Sequence, residues 1–203
     1  MVIRTLMLVA LLPLAGCSNW LLGETERVPT WQLGLAPAPV SAESDAWPYR
    51  LVVLAPQARP QLQATSPLVV AADGSVSVLG GARWADRPAA MLQQALRQRL
   101  LASGRFADVA TESFEPSQER RLHIALHGFH IEADQNGGLQ AIASWTLRLP
   151  QQQLRAESIE VRQSVDGRSV RALMRALQDA AAQLIDQGSQ AVLELTDEPS
   201  NNA

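Results

Sequence analysis

The chain has 203 residues and a formal net charge of −3, from 17 basic and 20 acidic residues. Every basic residue is Arg, which excludes Schiff-base and phosphate-loop lysine chemistry; a mildly acidic chain without a basic run also lacks the charge that drives nucleic-acid binding. With 47% hydrophobic and 18% charged residues it has the composition of a globular domain, and its one cysteine, Cys17, excludes an internal disulfide or a cysteine-rich zinc site.

Taken in chain order, residues 1–16 read as an address. Arg4 supplies a positive start, and residues 5–14 form an apolar run interrupted by Pro13. A bilayer-spanning helix needs about twenty apolar residues, so this run is a secretory signal peptide. It ends in Leu14-Ala15-Gly16-Cys17, which resembles the bacterial lipobox. There the Cys thiol is diacylglycerated, the signal is cut before it, and the new amine is acylated. Several acyl chains, at about 0.8 kcal/mol per buried CH₂, anchor firmly. By the same resemblance, Ser18 rather than Asp after the Cys points to the outer membrane, with the domain in the periplasm. Residues 17–29 are then the lipidated N-terminus and tether. Two readings of the tether stand side by side: a polar spacer, or a segment whose Trp20, Leu21 and Leu22 enter the membrane interface.

Residues 30–35 read as a short strand, and 36–47, with Pro37 and Pro39, as a connector. Residues 49–54 contain the run Leu51-Val52-Val53-Leu54, the pattern of a central strand buried on both faces. Residues 68–79 read as a hairpin in which Asp73-Gly74 supplies a type I′ turn, pairing Ala71 with Val76 and Val69 with Val78. Asp86 is placed to cap a helix with Pro88 in its first turn; Leu92, Ala95, Leu96 and Leu100 follow at helical spacing, and Gly104 stops it. Residues 106–110 read as a return strand. Leu122, Ile124 and Leu126 alternate, then the apolar parity switches to Phe129 and Ile131, which predicts a bulge near Gly128. Asn136-Gly137-Gly138 turns the chain into a long strand, residues 139–149, with one solvated face. A Gln-rich turn at 151–153 leads to a further strand carrying Ile159, Val161 and Val165. Ser169 caps a last helix whose stripe includes Val170, Leu173, Leu177, Leu184, Ile185 and Val192, and residues 197–203 form a polar tail. The expected architecture is α+β: one domain, 30–196, in which a mainly antiparallel sheet carries two amphipathic helices packed on one face.

Little in this pattern carries chemistry. His123 and His127 would share a face of a helix, but on a strand they stand about 13 Å apart, too far for one ion. The segment from Glu132 to Gly137 has acidic residues but lacks the closing bidentate Glu of a calcium loop, and a hairpin turn accounts for it. No nucleophile elbow, zinc-protease helix or phosphate loop is present. The residues nominate no catalytic group, metal or cofactor. Arg83 and Trp84, just before the first helix, are candidate partner-binding residues, since Trp and Arg are favoured at interface hot spots. A Trp at that junction more often closes a sheet–helix core.

One block identifies a family. Arg83-Trp84-Ala85-Asp86-Arg87-Pro88 opens the amphipathic helix, Met91-Leu92-Gln93-Gln94-Ala95-Leu96 continues it, and Ser103-Gly104-Arg105-Phe106 is its exit. With Cys17, the strand at 51–53, the region from Phe129 to Glu132 and the long final helix, this order resembles the ABC-type transport auxiliary lipoproteins, the PqiC-like group. The resemblance implies a non-enzymatic periplasmic lipoprotein of the outer membrane, working with MCE-domain proteins and often ABC transporters that move lipids between the two membranes. It also implies a docking role at the tip of a ring-shaped MCE assembly, for which cyclic homo-oligomerisation is plausible. The competing reading is a lipoprotein that assists assembly of an outer-membrane machine: a secretin, a barrel or a lipopolysaccharide translocon. A lipid carrier would need an apolar cavity for an acyl chain, and an enzyme a pocket with a strongly shifted His or carboxylate.

Overall fold

The computed structural model describes residues 28–34, 47, 49–114, 119–150 and 155–197. Cys17, the signal peptide, the tether up to residue 27, the Gln-rich turn at 151–153 and the tail after Asp197 lie outside the described residues.

The elements run in order β1 (Thr30–Trp31), β2 (Arg50–Val53), β3 (Gln57–Ala58), a 3₁₀ turn (Pro60–Gln63), β4 (Leu68–Val70), β5 (Val76–Val78), β6 (Arg83–Trp84), α1 (Pro88–Ala102), β7 (Val109–Ala110), β8 (Glu119–Ala133), β9 (Leu139–Leu149), β10 (Arg155–Ser164) and α2 (Val170–Asp197). The main sheet has the order β10-β9-β8-β2-β7. Its three long strands are antiparallel, as the alternating patterns predict. β2 is parallel to both β8 and β7, with Leu51, Val52 and Val53 all buried. That pairing follows from α1, which carries the chain from the upper to the lower end of the sheet before β7 rises beside β2. β3 and β4 continue along the same edge of β8, also parallel to it. β1 and β6 form a separate two-stranded parallel pair.

One core joins the sheet to both helices. Ile124, Leu126, Phe129 and Ile131 of β8 and Ala143, Trp145 and Leu147 of β9 meet Leu92, Leu96 and Leu100 of α1 and Leu177, Leu184 and Ile185 of α2. Each fully buried Leu here contributes about 1.5–3 kcal/mol relative to exposure. α2 lies along β9 and β10 and packs against α1. Ser169 caps α2, its Oγ accepting the Ala172 N–H at 3.2 Å. α1 is different: Arg87 holds the cap position without a side-chain cap bond, and Asp86 Oδ1 accepts the Arg87 N–H at 2.7 Å. Asp86 is therefore not the cap. Pro88 in the first turn has no N–H to satisfy, which lowers the need for one.

The bulge falls where the parity switch predicts it, as a register shift between Leu126 and Gly128. It turns Phe129 and Ile131 inward and brings His123, His127 and His130 onto the outer face. The hairpin register differs from expectation. Leu68 pairs with Val78 and Val70 with Val76, while the Ala71 N–H bonds to Ser75 O at 2.9 Å, so the loop is Ala72-Asp73-Gly74. Gly74 takes a positive φ, 82°. A two-residue type I′ turn would force Asp73 into the left-handed region as well, and the three-residue loop avoids that cost. Asp73 Oδ1 instead accepts the Ser75 N–H at 2.9 Å; the Ser75 side chain, and after it this backbone bond, lower the Asp73 pKa. Pairing shifts by one residue, leaving Val76 and Val78 exposed.

Candidate functional site

Trp84 is 1% exposed, and its ring lies 5.3 Å from that of Phe129. Its N–H bonds to Thr65 O. Trp84 is thus a core residue of this fold, while Arg83 beside it is exposed. Together they hold the incoming chain: the Arg83 N–H bonds to Pro29 O at 3.1 Å and the Ala85 N–H to Trp31 O at 2.7 Å.

This clamp defines two ends of the domain. The chain arrives beside Gly81, whose neighbour across the fold is Val170 at the start of α2. It then runs downward, because Gln32 O accepts from Gln178 further along α2. Trp47 lies at the opposite end, its N–H bonded to Arg105 O just after α1. Trp84 stands over Phe129, and from there to Glu119 at the start of β8 is on the order of 30 Å.

That far end collects aromatic and arginine side chains from four separate segments. Trp47 packs edge-on against Tyr49 and Phe106, each with ring centres 6.2 Å apart. The Arg120 guanidinium lies 4.6 Å over the Tyr49 ring, and that of Arg50 lies 5.6 Å over Phe114. Arg50 also pairs with Asp108 at 2.7 Å and stands 3.7 Å from Glu119. The Glu119 side chain is 1% exposed. It accepts the Phe114 N–H at 3.0 Å and the Ser113 hydroxyl, and Arg121 donates to the same Ser113 Oγ. A buried carboxylate therefore fixes the segment that presents Phe114, whose side chain remains 68% exposed. Tyr49 is 42% exposed.

The outer sheet face is polar. His127, Thr146 and Ser158 form a hydrogen-bonded row across three strands, at 2.8 and 2.9 Å. Arg162 bridges Glu132 and Glu160, and these bonds raise its pKa. Ile142 interrupts the polar pattern of β9 and is buried between His130 and Arg162 in register. Burial lowers the pKa of His130, outweighing the nearby Glu132. Among the described residues no group of three or more potential metal ligands occurs. An open cleft of about 560 Å³ separates β10 from the end of α2, lined by Glu157, Ile159, Gln187, Gln190 and Glu194 among others. A second, of about 420 Å³, lies between the β4–β5 hairpin and Arg162. The first is mostly polar in its lining, and the second mixes Val70, Ala71 and Ala133 with Glu132, Asp134 and Arg162; an acyl chain needs a predominantly apolar cavity. No helix among the described residues is long and apolar enough to cross a membrane.

The model of the ABC-type transport auxiliary lipoprotein component family matches residues 31–187, well over half of the chain. The chain belongs to this family. The match runs from β1 into α2 and takes in the Trp84 clamp and the arginine–aromatic end. The auxiliary lipoproteins' fold recurs in a Xanthomonas campestris protein of family DUF330: 20% identity, TM-score 0.70, covering 82% of this chain and 96% of that one. It recurs in a second crystal structure, of an uncharacterized protein, at 17% identity and TM-score 0.61, covering 80% and 97%. No curated protein matches the sequence.

Sequence reasoning did not single out Tyr49, Arg50, Phe114 or Arg120. The available signal was an isolated Phe between polar residues at 112–117.

Proposed function

We propose that this auxiliary lipoprotein is a non-catalytic docking subunit of an MCE-type intermembrane lipid transport system, anchored through Cys17 in the outer membrane and facing the periplasm. The family match supports the transport-auxiliary role. The observation that carries docking is the separation of the two ends. The chain enters the described domain on the order of 30 Å from the arginine–aromatic end, where Tyr49 and Phe114 are exposed and can meet a periplasmic partner. The partner is an MCE-domain protein, with transporter components behind it, and several copies of this chain can ring the MCE tip.

The test is crosslinking and pull-down of the lipidated protein from intact envelopes, with Cys17→Ala as control. Recovery of an MCE-domain protein, weakened when Cys17 is lost, is the expected result. Recovery of a secretin, a barrel or a lipopolysaccharide translocon in its place replaces the proposal with the assembly-lipoprotein reading.

A further inference from the structure

We infer that the free edge of β10, with the cleft beside it, takes an extended segment of a protein partner, one that carries a basic and an apolar side chain two positions apart. This binding mode lies on a different surface from the arginine–aromatic end and is independent of the docking reading above.

The backbone decides what kind of ligand fits. β10 pairs with β9 in unbroken antiparallel register and ends the sheet. The Val165 N–H bonds to Leu139 O at 3.0 Å, so 165 and 139 are a hydrogen-bonded pair. Hydrogen-bonded and non-hydrogen-bonded pairs alternate along an antiparallel ladder. The odd-numbered residues of β10 therefore bond to β9, and Ala156, Ser158, Glu160, Arg162 and Ser164 turn their N–H and C=O groups away from the sheet. Among the described residues no hydrogen bond reaches these groups. Such a row is a template for another strand, and an extended chain matches its spacing. Charges often protect an open edge. Here Glu160 and Arg162 bond to each other at 2.8 Å, while the stretch from Ala156 to Ile159 holds one charged residue, Glu157.

The cleft decides the side chains. In register, Glu157 stands opposite Leu147 and Ile159 opposite Trp145, both core residues, so Glu157 and Ile159 lie on the face of the sheet that carries α2. They share the cleft of about 560 Å³ with Gln190, Ala191, Glu194 and Leu195 of that helix. A strand added to β10 sends every second side chain to this same face, over the cleft. Ile159, Ala191 and Leu195 offer an apolar contact. Glu157 and Glu194 are both exposed, and the described interactions give neither a partner. Arg155 is the basic residue of this stretch, against Glu157, Glu194, Asp197 and Glu198 in the sequence. The incoming segment therefore presents a Lys or Arg to the carboxylates and an apolar residue two positions away, about 7 Å along the strand. A second copy of this chain fits less well, because β5 and β7, outermost on the opposite side of the sheet, carry no basic residue.

The test places a photoreactive amino acid at position 190 in the cleft or, for comparison, at 175, exposed on the same helix, in the full chain in native envelopes. The crosslinked segment is sequenced by mass spectrometry. The expected product, from 190 and not from 175, is a segment of another protein with Lys or Arg and an apolar residue two positions apart. Ser158→Pro removes an outward N–H and leaves the β9 ladder intact; it should lower that product roughly tenfold, the scale of one interface hydrogen bond. Ser158→Ala, which loses only the hydroxyl bond to Thr146, should leave it unchanged. Glu157→Arg combined with Glu194→Arg should lower it by a similar factor. A synthetic peptide copying the segment should bind the purified chain and slow amide exchange at Ser158 and Glu160. That readout uses the unsubstituted chain, so it decides the matter even where the Pro variant does not fold. Undiminished product from Ser158→Pro, or no protection of those amides, overturns strand addition. Undiminished product from the double Arg variant overturns the basic occupant. A crosslink from 190 to lipid, to a second copy of the chain or to nothing overturns the inference as a whole, and the docking reading then stands or falls by its own pull-down.

Discussion

Gly188 sits inside α2, where Ala is normally the better residue by about 1 kcal/mol. Propensity alone therefore predicts that Gly188→Ala stabilises the protein. The tertiary contact predicts the opposite. A Cβ at 188 would stand 3.1 Å from Trp145 Cε2 and 3.3 Å from Nε1, with Cζ2 closer still. Trp145 is 1% exposed, and β9 is hydrogen-bonded on both sides, so neither ring nor backbone has room to retreat. Overpacking of this kind costs about 1–3 kcal/mol. Offset by the propensity gain, the net expectation is a loss of about 1 kcal/mol, or about 2–4 °C in Tm for a domain of this size. Thermal and urea unfolding of the purified chain measure it. Trp145→Phe should relieve the clash, so that Gly188→Ala becomes neutral or stabilising in that background. A rise in Tm for Gly188→Ala alone would refute the argument that the helix approaches the sheet through this glycine.

Other substitutions separate core from surface roles. Trp84→Ala should cost about 3–5 kcal/mol, the scale for a buried aromatic; denaturant titration checks this, and a change under 1 kcal/mol would return Trp84 to the surface. Glu119→Gln removes the buried charge opposite Arg50 and weakens the acceptor for Phe114 N–H, for an expected loss of about 1–3 kcal/mol; hydrogen exchange at the Phe114 amide should accelerate with it. His130 has a depressed pKa, so the unfolded chain binds the proton more readily. Stability is then full above the ordinary histidine pKa of about 6.5 and falls as pH drops from there toward the folded value. Unfolding curves between neutral and mildly acidic pH should show this slope in the native chain and a shallower one in His130→Asn. An identical slope in the variant would assign the dependence to other groups.

Much of the architecture was legible because periodicity is a local property. The alternation at 139–149, the parity switch beside Gly128 and the stripe of α2 each report which residues face the core, whatever lies opposite. The hairpin register was not, because a one-residue shift preserves the apolar composition and is decided by the φ values its loop can adopt. The cap of α1 was not, because Pro88 changes what a cap has to satisfy.

By itself, then, the sequence determined element types, the α+β class, the bulge and the family, since all of these rest on neighbouring residues or on a contiguous motif. Only the tertiary structure decided where single side chains end up. Trp84 is buried because β8 brings Phe129 beneath it. Tyr49, Phe106, Phe114 and Arg120 share one end because the α1 crossover lays β2, β7 and β8 side by side in parallel, so that their starting ends coincide. Contacts between segments so far apart in the chain leave no local period to read.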